Sequence, residues 1–156
     1  MEITRETDYA MRCVMHLARN PDRTIMVDEI SREMEIPRSF LAKIVQKLTR
    51  AGIAESFRGT KGGFRLIRNS SQITMLDVIE AIEGVIALNR CAVEAKVCAF
   101  SPSCAVHPVW VKVREEFREV LARYSFQHLI DSTNPLHTEK GESAMYSHPC
   151  KGGENE

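Results

Sequence analysis

The sequence predicts a mostly α-helical protein with a small β wing: a winged helix-turn-helix DNA-binding domain followed by a long C-terminal dimerisation helix. Three observations carry that prediction. Two helical stripes broken by "EIPR" precede two short strand-like runs around "RGTKGG". Residues 36–72 hold Arg38, Lys43, Lys47, Arg50, Arg58, Lys61, Arg65 and Arg68 against the single acid Glu55, although the whole chain has zero net charge. Beyond them, an unperiodic cysteine-rich segment opens into a long, charged, amphipathic run.

The elements follow in order. A first helix is expected over residues 5–19, on a stripe of Met11, Val14, Met15 and Ala18, with "NPDR" ending it. Asp28 can cap a second helix reaching Met34, and Pro37 suits the first turn of a third. That third helix shows Leu41, Ile44, Val45 and Leu48 at helical spacing, and Gly52 suits its left-handed stop. "IAESF" and "FRLIR" then alternate like strands, with Gly62-Gly63 suited to a tight hairpin. Thr74 can cap a helix over 75–83, stopped by Gly84. Pro108 opens a long helix to Tyr124, with Val109, Val113, Phe117, Val120, Leu121 and Tyr124 as its apolar stripe. That stripe suits either a helix–helix dimer or an intramolecular core. A short helix near Phe126–Ile130 follows.

These readings divide the chain into a DNA-binding domain (1–84), a loop with a dimerisation helix (85–131), and a polar, Gly-rich tail (132–156) expected to be disordered. At 156 residues and 44% hydrophobic content, a core needs no disulfides. The start, "MEITRETDYAMRCVMHLARN", has acids and no signal-like apolar run, and nothing approaches the ~20 apolar residues of a membrane span. A cytoplasmic protein with reduced thiols and no membrane partner is therefore expected. No Ser-His-Asp set, paired carboxylates or phosphate loop points to an enzyme.

A basic block inside a neutral chain marks an anionic partner, unless it is merely a solvated face. In a winged helix the second helix of the pair enters the major groove and the hairpin reaches an adjacent backbone or minor groove. Opposite the Leu41 stripe stand Ser39, Lys43, Gln46, Lys47 and Arg50, groups that reach base edges and phosphates. At the wing, Arg58, Lys61 and Arg65 surround glycines, and an arginine on a thin loop suits a narrow minor groove. Double-stranded DNA is the expected partner.

In "CAVEAKVCAFSPSCAVHPVW", Cys91, Cys98 and Cys104 are separated by six and five residues. Structural zinc sites favour gaps of about two to four between paired thiolates. Wider gaps in an irregular loop suit an iron-sulfur cluster, although zinc or three unconnected thiols stay open. Cys13, within the first helix, reads as a small core residue. Cys150, beside His148 in the tail, reads as a bystander.

"TRETDYAMR", "IPRSFLAKIVQKLTRAGIAE", "RGTKGGFRL" and "ITMLDVIEAIEG", with the cysteine loop, resemble the Rrf2 family of bacterial transcription regulators over residues 1–130. The resemblance implies a homodimer on a palindromic operator; a repressor is the expected mode, with activation left open. Arg58 matches a wing arginine inserted in the minor groove, while Ser39, Phe40 and Lys43 fall where the recognition helix begins. Cluster-sensing members carry three cysteines here, and the first gap is one residue longer than in the IscR type. His107 matches the ligand that completes a 2Fe-2S site, and Asp8 the partner-donated ligand of a 4Fe-4S site. Asp8 also suits the positive end of the first helix on its own account.

His107 is favoured because it lies three residues beyond Cys104, at the positive end of the long helix, where the neutral imidazole that binds metal is preferred. The reading is a DNA-binding regulator controlled by an iron-sulfur cluster that responds to cluster supply, iron, nitric oxide or redox stress. Its rivals are a zinc- or thiol-based regulator and an iron-sulfur electron carrier with no DNA role.

Overall fold

The first helix forms as the sequence predicts, and it buries a wider face than the expected stripe. In a computed structural model describing residues 3–59 and 62–133, α1 spans Arg5–Ala18. It buries Val14 and Ala18 of that stripe together with Thr7, Ala10, Cys13, His16 and Leu17, while Met11 and Met15 pack half-buried against the core. Helix α1 packs against α3 (Arg38–Arg50) and the helix after the wing, and the small residues Ala10 and Cys13 are fully buried. Cys13 is fully buried, and that burial pushes its thiol pKa up to about 12, the signature of an inert core residue.

Helix α2 (Val27–Glu33) starts from Met26, so Asp28 stands in the first turn instead of capping it. There its carboxylate pairs with Arg38 at the start of α3. Between the two helices the chain turns through Glu35 at φ +53°, a left-handed conformation more often given to glycine or asparagine. Helix α3 buries Leu41, Ile44, Val45 and Leu48, the stripe expected from sequence. It ends in a Schellman turn: Gly52 sits at φ +68°, and Ile53 N–H donates to the Leu48 carbonyl at 2.9 Å.

Strands β1 (Ala54–Phe57) and β2 (Gly63–Leu66) pair antiparallel, with Ala54 opposite Leu66 and Phe57 opposite Gly63. The connection is therefore 58–62 and not a two-residue turn at Gly62-Gly63; Gly62 N–H closes it on the Gly59 carbonyl at 2.9 Å. Gly63 has a different duty. Ile25 and Phe64 exchange backbone hydrogen bonds of 2.8 and 2.9 Å, and a Cβ on Gly63 would lie 2.3 Å from the Ile25 oxygen. Only glycine fits there.

Helix α4 (Met75–Glu83) opens with a capping box, Thr74 and Asp77 each bonding the other's backbone N–H, and ends at Gly84 with φ +82°. The cysteine segment is loop with two short 3-10 turns, Arg90–Ala92 and Ala95–Val97. Helix α5 (His107–Arg123) carries Pro108 in its first turn, and α6 (Phe126–Thr133) closes the described chain.

Of the predicted α5 stripe, only Leu121 is buried and Phe117 half-buried; they pack with Ile79 and Ile86 near α4. Val109, Val113, Val120 and Tyr124 are 40–55% exposed, because α4 covers one side of α5 and nothing among the described residues covers the other. Among the described residues, this part of the stripe is not an intramolecular core.

After α5 the chain returns to the first domain. Met75 N–H donates to the Tyr124 carbonyl and Phe126 N–H to the Ile73 carbonyl, both at 2.9 Å, and Phe126 is fully buried in the main core. The boundary expected at residue 84 therefore does not bound that core. Ser132 and Thr133, expected in the tail, belong to α6. Lys61 and the rest of the expected tail, with His148 and Cys150, lie outside the described residues.

Candidate nucleic-acid interface and cysteine loop

The outward face of α3 is set by its inward one. With Leu41, Ile44, Val45 and Leu48 buried, helical geometry turns Ser39, Lys43, Gln46 and Arg50 to solvent, and all four are exposed. Phe40, also exposed, stacks edge-to-face on Tyr9 of α1 with ring centroids 5.7 Å apart. Lys47 differs from its neighbours. Its ammonium donates to Glu6 at 2.9 Å and to the Ile82 carbonyl at 3.1 Å. It ties α3 to α1 and α4 and stands half-buried at the edge of the outward face.

On the wing, Arg58 is exposed beside Gly59. Arg65 projects from β2, where Glu55 on the paired strand accepts from it at 2.8 Å and the Phe57 ring lies 5.1 Å away. Of the two, Arg58 stands on the loop and Arg65 is braced against the sheet. Arg58 and Arg65, like Lys43 and Arg50, are exposed cations of the kind that can meet phosphates.

The cysteine loop lies at the N-terminus of α5. Cys98 and His107 line one cavity of about 490 Å³ together with Lys96, Ser101 and Pro102. Cys104 and His107 are joined by a turn in which His107 N–H donates to the Cys104 carbonyl at 3.3 Å. His107 Nδ1 and Ser101 Oγ are both buried without a hydrogen-bond partner, which is costly unless something else satisfies them. Cys91, Cys98 and Cys104 are free thiols, all half-buried.

Among the described residues, no three of these four donors gather within 4.8 Å of one another. Thiolate and imidazole are donor types that hold iron-sulfur clusters, and three free cysteines with an unpartnered imidazole fit such a group in their chemistry. Asp8 stands apart: it is exposed on α1 and paired with Arg12 at 2.7 Å.

The family model described as "Rrf2: Iron-dependent Transcriptional regulator" matches residues 3–132. The chain belongs to the Rrf2 family. It is similar to the protein aau3 of Rhizobium meliloti strain 1021, at 37% identity over 83% of this chain and 85% of that one. Among solved structures, T. potens IscR matches with a TM-score of 0.69 at 20% identity, covering 90% of this chain and 94% of the other. CymR, the global cysteine regulator of B. subtilis, matches with a TM-score of 0.71 at 23% identity, covering 86% and 99%. At those identities the structures establish the shared winged-helix fold.

As an Rrf2 protein the chain is a DNA-binding transcription regulator and not an enzyme. No described helix is long and apolar enough to cross a membrane. Two features of the fold escaped the sequence. Ser101, buried beside His107, carries no spacing signal at all. Glu83 at the end of α4 accepts hydrogen bonds from Thr4 N at 3.2 Å, Thr4 Oγ1 at 2.5 Å and Thr7 Oγ1, fixing the start of α1. Partial burial opposes ionisation of that carboxyl, but the Thr4 and Thr7 bonds outweigh it and hold its pKa below the ordinary value.

Proposed function

We propose that this Rrf2 chain binds a palindromic operator as a homodimer whose affinity is set by an iron-sulfur cluster in the 91–107 loop. The observation that carries the cluster reading is the buried, unpartnered His107 Nδ1 sharing a cavity with Cys98. Cys91, Cys98, Cys104 and His107 would hold a 2Fe-2S cluster. Asp8, the alternative ligand for a 4Fe-4S cluster, is already engaged by Arg12. A bound cluster supplies a centre that reacts with oxidants and nitric oxide and is lost when iron is scarce.

The chain's own residues do the rest. Ser39, Phe40, Lys43, Gln46 and Arg50 face the major groove, and Arg58 reaches the adjacent minor groove, with Lys61 and Arg65 backing the wing on phosphates. The exposed α5 stripe is the surface that a second copy buries, since Val109, Val113 and Val120 have no cover among the described residues. Arg114 donates to the Ile86 carbonyl at 2.8 Å and Arg118 pairs with Glu80, so α5 is braced on α4. Rearranging the loop at the start of α5 thus shifts a helix tied to the DNA-binding core, and that differential gives the cluster leverage on operator affinity.

Operator affinity measured across salt tests the DNA face. Each phosphate contact adds about 0.9 to the salt slope, and Arg58→Ala costs about 1–3 kcal/mol as a specific groove contact. Unchanged affinity in Arg58→Ala overturns the wing assignment.

A further inference from the structure

The DNA-binding core holds a second group of metal-capable side chains, far in sequence from the 91–107 loop. His16 on α1 faces Glu29 and Glu33, which stand one turn apart on α2, and the three donor atoms lie within 4.8 Å of one another. His16 is 5% exposed, and its Nε2 is buried without a hydrogen-bond partner, 4.0 Å from Glu29 Oε1. An apolar core gains nothing from such a nitrogen; leaving it unsatisfied is costly.

The spacing suits the chemistry. Carboxylates at i and i+4 on a helix project from one face, and an imidazole from the packed neighbour completes a three-donor set. First-row divalent ions take imidazole nitrogen and carboxylate oxygen at about 2.0–2.2 Å, so the donors need to close in by about an ångström. Glu33 can supply that movement, since its side chain is 45% exposed.

The Glu29 carboxylate is held by Arg23, with bonds of 2.5 and 3.1 Å, and this contact keeps its pKa below the ordinary value. Arg23 is itself 52% exposed and can swing into solvent. The guanidinium is thus a competitor already seated at the site, in the position a cation would take over.

We propose that His16, Glu29 and Glu33 form a binding site for a divalent first-row transition ion that clamps α1 to α2, with Arg23 as its built-in competitor. The imidazole disfavours magnesium and calcium, and the absence of thiolate separates this site from the cysteine loop. Because α2 also holds Arg38 at the start of α3 through Asp28, the clamp acts one helix behind the DNA-reading helix.

Manganese(II) is the probe, titrated into the full chain and followed by electron paramagnetic resonance, because it favours nitrogen and oxygen donors over thiolates. The expected result is one bound ion per chain, with affinity falling at least tenfold in both His16→Gln and Glu33→Gln. Arg23→Ala should bind severalfold more tightly. Should the buried His16 variant fail to fold, the exposed Glu33 variant decides. No saturable binding in the native chain overturns the proposal. So does binding that Glu33→Gln leaves unchanged, or an Arg23→Ala protein that binds more weakly than the native one.

Discussion

Lys47→Met separates a structural lysine from a DNA-binding one. The substitution keeps the apolar stem and removes the ammonium that bridges Glu6 Oε2 and the Ile82 carbonyl. A hydrogen bond to a charged group contributes about 1.5–3 kcal/mol when well shielded. Here the side chains of Lys47 and Glu6 are 35% and 27% exposed, which pulls the figure toward the low end. Against that, Glu6 Oε1 is already buried without a partner, so losing Lys47 leaves the carboxylate wholly uncompensated. The net expectation is about 1–2 kcal/mol of stability lost. Urea denaturation reads the stability, and the salt dependence of operator binding reads the phosphate contacts. Lys47→Met should lower the urea midpoint and leave the salt slope unchanged, whereas Lys43→Ala or Arg50→Ala should lower the slope by about 0.9. A Lys47→Met protein of native stability whose slope falls by that amount would refute the reasoning.

Phe126→Ala should destabilise the protein by about 3–5 kcal/mol, because the ring is fully buried where α6 returns to the main core; a loss below about 1 kcal/mol in chemical denaturation would show that α6 is not part of that core. Glu83 has a folded pKa below its ordinary value, so its contribution is present above about pH 4.3 and is lost as pH falls through the lower folded value. Native protein should therefore lose its stability advantage over Glu83→Gln on acidification through that window, and an advantage that holds constant down to the lowest pH would contradict the assignment.

Much of the fold was legible because its signals are local. Periodicity marked the buried face of α3, and Thr74 and Gly84 marked both ends of α4, since caps and stripes depend on neighbours a few residues away. The face of α1 was read too narrowly: Val14 and Ala18 are buried as expected, but Thr7, Ala10, Cys13 and His16 join them through tertiary packing that the hydrophobic period does not report. Gly63 likewise serves Ile25, thirty-eight residues upstream, and not the turn it sits beside.

The site shows the same division. Exposure of Ser39, Lys43, Gln46 and Arg50 followed from the buried stripe, but Lys47, at the edge of that face, was claimed by partners on two other helices. The closeness of His107 to Cys104 was readable from spacing, whereas the cavity His107 shares with Cys98 and the burial of Ser101 were not. His16 gave no signal either, because its carboxylate neighbours come from a different helix.

The central claim is that the 91–107 loop holds an iron-sulfur cluster through Cys91, Cys98, Cys104 and His107. Its most direct test is iron and acid-labile sulfide counted per chain, with the visible spectrum, on protein purified without oxygen. The account predicts a 2Fe-2S spectrum with matching iron and sulfide, lost in Cys98→Ala and in His107→Ala and kept in Asp8→Ala. A colourless, iron-free protein that cannot be reconstituted, or a cluster that survives Cys98→Ala, would contradict it.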